Sequence, residues 1–113
     1  MGLPDVLTVG RPALAAAALA EHLAASDATF FGASWCSHCQ DQKALFKASA
    51  DRLPYVGCTP GGRGGPVAVE CFSSGIESYP TWIIDGGRYE GVLTLGRLVC
   101  LSGFELEDFD KSP

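Results

Sequence analysis

The chain holds 113 residues, 47% of them apolar, 10% aromatic and 19% charged, the proportions of one compact domain and too few residues for two. Eight Lys and Arg against thirteen Asp and Glu leave a net charge of −5 with no basic run, so nucleic acid is not expected as a partner. No stretch reaches the roughly 18 to 20 apolar residues that span a bilayer. The Ala-rich stretch Pro12–Ala20 has Asp5 and one Arg before it and Glu21 and His22 after it, the wrong flanks for a cleaved signal.

Residues 1–10 show no periodicity and read as an irregular lead-in to a single domain over 1–113. Pro12–Ala25 is helix-forming, with Leu14, Leu19 and Leu23 near one face. Ala28–Ala33 is a short apolar run with β-branched and aromatic residues, the pattern of a buried strand. From Cys36 to Arg52 there is no Gly or Pro, and Cys39, Phe46 and Leu53 recur at spacing seven with Leu45 in the same stripe. That spacing predicts one helix starting at or near Cys36.

Pro54–Cys58 reads as a second strand, followed by TPGGRGGP, a loop with four Gly and two Pro in eight residues. Pro66 and Gly75 bracket a short helix as its opening and closing residues, with Val67–Cys71 and Ala68–Phe72 as i, i+4 pairs. Thr81–Ile84 and Arg88–Glu90 around Asp85-Gly86-Gly87 predict a β-hairpin. Thr94 can cap a last helix to about Ser102 that Gly103 stops, and residues 105–113 form an acidic tail. A strand–helix–strand unit followed by a hairpin predicts an α/β fold: a central four-stranded mixed sheet with helices on both faces.

Five cysteines, Cys36, Cys39, Cys58, Cys71 and Cys100, are an odd number, so at least one stays outside any intramolecular set of disulfides. Cys36 and Cys39 are separated by two residues at a strand-to-helix junction. Such thiols can close and open a disulfide with little chain movement, and the helix N-terminus favours a thiolate at Cys36, with Cys39 one turn inside as the resolving thiol. Ser37, His38 and Trp35 surround the pair and would tune it, His38 by carrying positive charge. A metal site would need further ligands from Cys58, Cys71 or His38, and no second C-x-x-C or His pair is present. Metal: none expected. The four loop glycines lack the Lys-Ser/Thr of a nucleotide-binding loop, and Asp108 and Asp110 read as a solvated tail. Phe30, Phe31, Phe72 and Trp82 are assigned to the core.

The segments Phe31–Lys43 (FGASWCSHCQDQK), Tyr55–Cys58 (YVGC), Ser78–Ile84 (SYPTWII) and Ser102–Phe104 (SGF) together resemble thioredoxin-fold proteins. They are most similar to the thioredoxin-like domain fused to bacterial and plant-plastid homologues of vitamin K epoxide reductase. The likeness runs over residues 13 to 104. It implies thiol–disulfide exchange with protein thiols and disulfides, without a cofactor, and a membrane-embedded quinone-linked reductase as the electron partner. It implies Cys36 as an exposed nucleophile, Cys39 as the resolving thiol, and Pro80 as a cis-proline after Tyr79, whose backbone would pair with an extended substrate. It also pairs Cys58 with Cys71 as an extra disulfide, with a second redox relay or two free thiols as the alternatives. Cys100 is then left as a buried small hydrophobe.

Two departures stand out. Ser37 takes a place where many relatives carry Pro, and Phe30 falls where ordinary thioredoxins keep a buried acid. A monomer is expected. The extra disulfide and the resemblance suggest periplasm or thylakoid lumen, although no signal is visible and the cytoplasm stays open. A glutathione-using enzyme fits less well, because Gly91–Thr94 offers no acid to hold glutathione's amino group. The rival from another class is a redox-silent or zinc-stabilised binding module.

Overall fold

The computed structural model describes residues 11–105; the expected lead-in and nearly all of the acidic tail lie outside them. Helix α1 (Arg11–Ala25) leads into strand β1 (Ala28–Gly32), helix α2 (Ser37–Ala44) and a 3-10 segment (Lys47–Arg52). Strand β2 (Tyr55–Gly57), helix α3 (Val69–Ser73), the hairpin β3 (Thr81–Ile84) and β4 (Gly87–Glu90), and helix α4 (Leu95–Ser102) complete the order. The sheet runs β2-β1-β3-β4, with β1 parallel to β2 and the other neighbours antiparallel. This is a mixed α/β sheet with flanking helices. The fold is thioredoxin-like.

Alternation along the strands divides the core in two. On one face Phe30 is register partner to Tyr55 on β2 and Trp82 on β3, and Trp82 to Tyr89 on β4, an aromatic row across all four strands. Phe30 stacks on Trp82 with centroids 4.9 Å apart and meets Tyr55 edge-on at 5.1 Å, geometries that add to area burial. Leu19, Ala20 and Leu23 of α1, Leu98 of α4, and Phe46 and Leu53 beside the 3-10 segment close over this row. On the other face Phe31 packs with Cys58 and Cys71, bordered by Val56 and Ile83.

The hairpin and last helix follow their turn chemistry. Asp85 and Gly86 take positive φ of 51° and 84°, which a tight two-residue hairpin turn requires. Thr94 Oγ1 accepts from the Arg97 N–H at 3.1 Å, and Gly103 ends α4 at φ 72°.

Four local expectations are corrected. The helix expected over 36–52 is interrupted: α2 stops at Ala44, and Lys47, at φ 51°, redirects the chain into 3-10 turns. The break lets Phe46 and Leu53 bury while Leu45 stays 37% exposed. Pro66 does not open α3. The Ala68 N–H donates to the Cys58 carbonyl at 2.7 Å, which holds the chain extended until Val69. Phe72, assigned to the core, is 80% exposed, because the neighbouring Cys71 turns its own side of a very short helix inward. Cys100, expected buried, is exposed on α4.

Candidate functional site

The two sequence segments that carry the motifs meet because of strand direction. β1 delivers the chain to Trp35 and Cys36 at its carboxyl end, and β3, running antiparallel with Thr81 opposite Phe31, begins at that same end. Tyr79 and Pro80 therefore lie beside the cysteines. The Tyr79–Pro80 peptide bond is cis, and the Cys36 thiol donates to the Tyr79 carbonyl with Sγ to O at 3.6 Å.

Cys36 is the N-cap of α2, and its sulfur accepts from the Cys39 N–H at 3.3 Å. The position that Ser, Thr or Asp usually fills at a helix start is filled here by a thiol. An otherwise unpaired backbone donor thus points at the sulfur, a contact that negative charge on sulfur strengthens. The expectation of an exposed nucleophile is corrected in degree: Cys36 is only 7% exposed, its sulfur lies against the Tyr79 carbonyl, and it lines a cavity of about 450 Å³. Trp35, Ser37, His38, Arg63, Glu77, Ser78 and Tyr79 line that cavity with it.

Cys39 lies behind, fully buried. Its thiol is pushed up to about 12, first by burial and then by the hydrogen bond with Cys36, against smaller downward pulls from the Ala33 backbone and Lys43. Gly32 makes room for it: a Cβ there would sit 2.9 Å from the Cys39 sulfur and 3.0 Å from Tyr55 Cε1. Burial, then the nearby Cys39 and Cys36, also push the Tyr55 phenol up, and Lys43 Nζ rests 3.8 Å over its ring centroid. Phe30 is buried in the aromatic row where the sequence departs from the acid of ordinary thioredoxins.

The surrounding residues divide. Trp35 is 39% exposed, meets Tyr79 edge-on at 5.8 Å, and donates from Nε1 to Thr59 Oγ1 at 2.9 Å. His38 is exposed, its Nδ1 3.8 Å from an Asp41 carboxylate oxygen that is exposed too, a pair of little energetic weight. Cys58 and Cys71 are bonded to each other, S–S 2.04 Å, and buried on the far face of the sheet. Among the described residues no group of three or more His, Cys, Asp or Glu side chains could hold a metal ion, and no helix is long and apolar enough to cross a membrane.

No protein-family model matches the chain. It is similar to thiol-disulfide oxidoreductase LTO1 of Arabidopsis thaliana, 39% identical over 100 residues. That match takes in 86% of this chain, which spans about a quarter, 27%, of the relative's length. The likeness supports a thioredoxin-like redox protein.

Three residues that matter to the site were not singled out from the sequence. Gln42 is fully buried and joins α2 to the rest of the sheet: its Oε1 accepts from Trp82 Nε1 at 3.0 Å and the Leu93 N–H at 2.8 Å, and its Nε2 donates to the Leu93 carbonyl at 3.0 Å. Its signal is a polar residue three places after Cys39, on the buried side of α2. Thr59 and Arg63, which hold Trp35, sit in a loop with no periodicity to mark them.

Proposed function

We propose that this protein is a thiol–disulfide oxidoreductase that exchanges disulfides with protein substrates through Cys36 and Cys39. The observation that carries the reading is the placement of the Cys36 sulfur. It caps α2, touches the carbonyl before a cis-proline, opens on a cavity, and has a second thiol one turn behind it.

In the reducing direction, the Cys36 thiolate attacks one sulfur of a substrate disulfide, and the other substrate sulfur leaves and takes up a proton. The Cys39 thiol then gives up its proton and attacks Cys36. This releases the second substrate thiol and leaves a Cys36–Cys39 disulfide. Two protein thiols are oxidised and one substrate disulfide is reduced to two thiols; the reverse sequence oxidises a substrate. Trp35 and Tyr79 supply the surface on which an extended substrate rests, and Ser37 and His38 form the exposed turn beside it.

The resemblance adds a membrane-embedded reductase of the vitamin K epoxide reductase type as electron partner, with this domain acting as a monomer in the periplasm or thylakoid lumen. The Cys58–Cys71 bond favours such an oxidising compartment. The test is insulin reduction by wild type and Cys36→Ala, together with trapping by Cys39→Ala. Loss of turnover in the first variant and accumulation of a mixed disulfide in the second are expected. Equal rates for wild type and Cys36→Ala overturn the proposal.

A further inference from the structure

The loop between Cys58 and Cys71 does more than close a staple. Its base is fixed by the disulfide, by the Cys58 N–H donating to the Gly32 carbonyl at 2.8 Å, and by the Ala68 N–H donating to the Cys58 carbonyl at 2.7 Å. From that base Thr59 accepts the Trp35 indole hydrogen bond at 2.9 Å, and Arg63 lays its guanidinium over the Trp35 ring, 5.0 Å from the centroid. Arg63 therefore enters the wall of the Cys36 cavity, which Glu77 lines as well. Both side chains belong to exposed residues, and among the described residues neither takes part in an ion pair. Two unneutralised charges of opposite sign thus face one cavity, the positive one carried on Trp35 next to Cys36, the negative one on the segment that runs into Tyr79. Charges lining a cleft act on a ligand more strongly than the same charges on open surface.

We propose that Arg63 and Glu77 select substrates by charge order: the protein prefers a cysteine flanked by an acidic residue on the Arg63 side and a basic residue on the Glu77 side. This deepens the disulfide-exchange reading and rests on it. The net charge of −5 steers whole substrates by their total charge, whereas the two cavity residues read the order in which opposite charges are arranged.

The test uses two peptides of identical composition, one with Glu before and Lys after a single cysteine, the other reversed. Each is presented as a mixed disulfide with thiopyridine to the fully reduced protein. The Cys36 sulfur attacks the peptide sulfur and neutral thiopyridone leaves with a proton. Cys39 then displaces the peptide thiol, so the two protein thiols are oxidised as the mixed disulfide is reduced. One order is expected to react about two- to ten-fold faster at low salt, the range of one or two exposed ion pairs. The preference should invert in the double swap Arg63→Glu, Glu77→Arg and collapse near 1 M salt. Because each measurement is a ratio within one variant, a general change in reactivity cancels. Equal rates for both peptides in wild type, or a preference that survives the swap, overturn the charge-order proposal and leave disulfide exchange standing. Failure of reduced wild type to react with either peptide rejects the exchange reading and this inference with it.

Discussion

Combining Cys36→Ser with Cys100→Ser leaves Cys39 as the one free thiol, with the Cys58–Cys71 bond intact. Serine keeps an oxygen at the N-cap for the Cys39 N–H, so α2 should start where it does now. Burial, the largest cause, still acts on Cys39, whose thiol in the wild type is raised from 9.0 to about 12. At about pH 8 a thiol with the ordinary value is roughly one-tenth ionised and one at 12 about one part in ten thousand, a deficit near a thousand-fold. The more basic sulfur is intrinsically more nucleophilic and recovers about 15- to 30-fold over three units at a Brønsted slope of about 0.4 to 0.5. The net slowing is about 30- to 60-fold at the wild-type value, somewhat less once the charge at Cys36 is gone and more where the pocket blocks access. The assay is exchange with a small neutral disulfide, measured beside a simple free thiol. The rate should keep climbing about tenfold per unit between roughly pH 8 and 10, where the simple thiol levels off. A rate within about three-fold of the simple thiol, or a plateau near pH 9, refutes the argument that burial keeps Cys39 protonated. The shift also has a sign in stability. With the folded value above the unfolded one, the neutral thiol favours the fold, fully below pH 9.0, and that contribution is lost as pH rises toward about 12.

Removing the second disulfide by Cys58→Ala with Cys71→Ala should lower the unfolding free energy by about 3 kcal/mol, the loop-closure value for a loop of this length; urea titration measures it, and an unmoved midpoint would contradict the staple role. The same variant should change the Trp35 emission, because Thr59, its indole partner, is next to Cys58. Gly32→Ala puts a methyl 2.9 Å from the Cys39 sulfur and 3.0 Å from the Tyr55 ring, an overpacking cost of about 1 to 3 kcal/mol that thermal unfolding should register, and a neutral result would show that Cys39 can move aside. Gln42→Leu strands the Trp82 indole N–H and both backbone groups of Leu93, which at about 1 to 3 kcal/mol per buried unsatisfied group should cost at least about 3 kcal/mol in chemical denaturation; a loss under about 1 kcal/mol would mean that water replaces the amide.

What could be read from the sequence was what short-range chemistry determines. Thr94 and Gly103 bound α4 because a hydroxyl cap and a left-handed stop are local requirements, and Asp85-Gly86 marked the hairpin for the same reason. The cysteine pair, its strand and the proline facing it were legible as motifs. The break at Lys47 was not, since lysine is a good helix former and only the burial of Phe46 and Leu53 against α1 makes the interruption favourable. Phe72 and Cys100 face outward although both are apolar, because apolar type alone does not fix direction. On helices of five and eight residues, direction is set by what anchors the helix, here the Cys71 bond and buried Leu98. Arg63 and Thr59 were hidden because their roles depend on a disulfide that closes their loop against Trp35, a tertiary fact with no periodic trace.

The same contrast explains the absence of an acid at Phe30. An aromatic there extends the row from Tyr55 to Tyr89 and buries well, whereas a carboxylate would have to be desolvated beside Trp82. The Cys39 thiol then has no carboxylate in that place to take its proton, and burial keeps it neutral. Two of the causes that raise it, the hydrogen bond with Cys36 and the charge on Cys36, belong to the reduced state alone. Once the Cys36 sulfur is tied up in a mixed disulfide it carries no charge, and the second thiol becomes easier to ionise at the stage when the proposed chemistry needs it to attack. In the free reduced protein those two contributions act in the opposite direction and hold the second proton in place. The order of events, Cys36 first and Cys39 second, thus rests first on the burial of Cys39, to which the hydrogen bond with Cys36 and, more weakly, the charge on Cys36 add only while the protein is reduced.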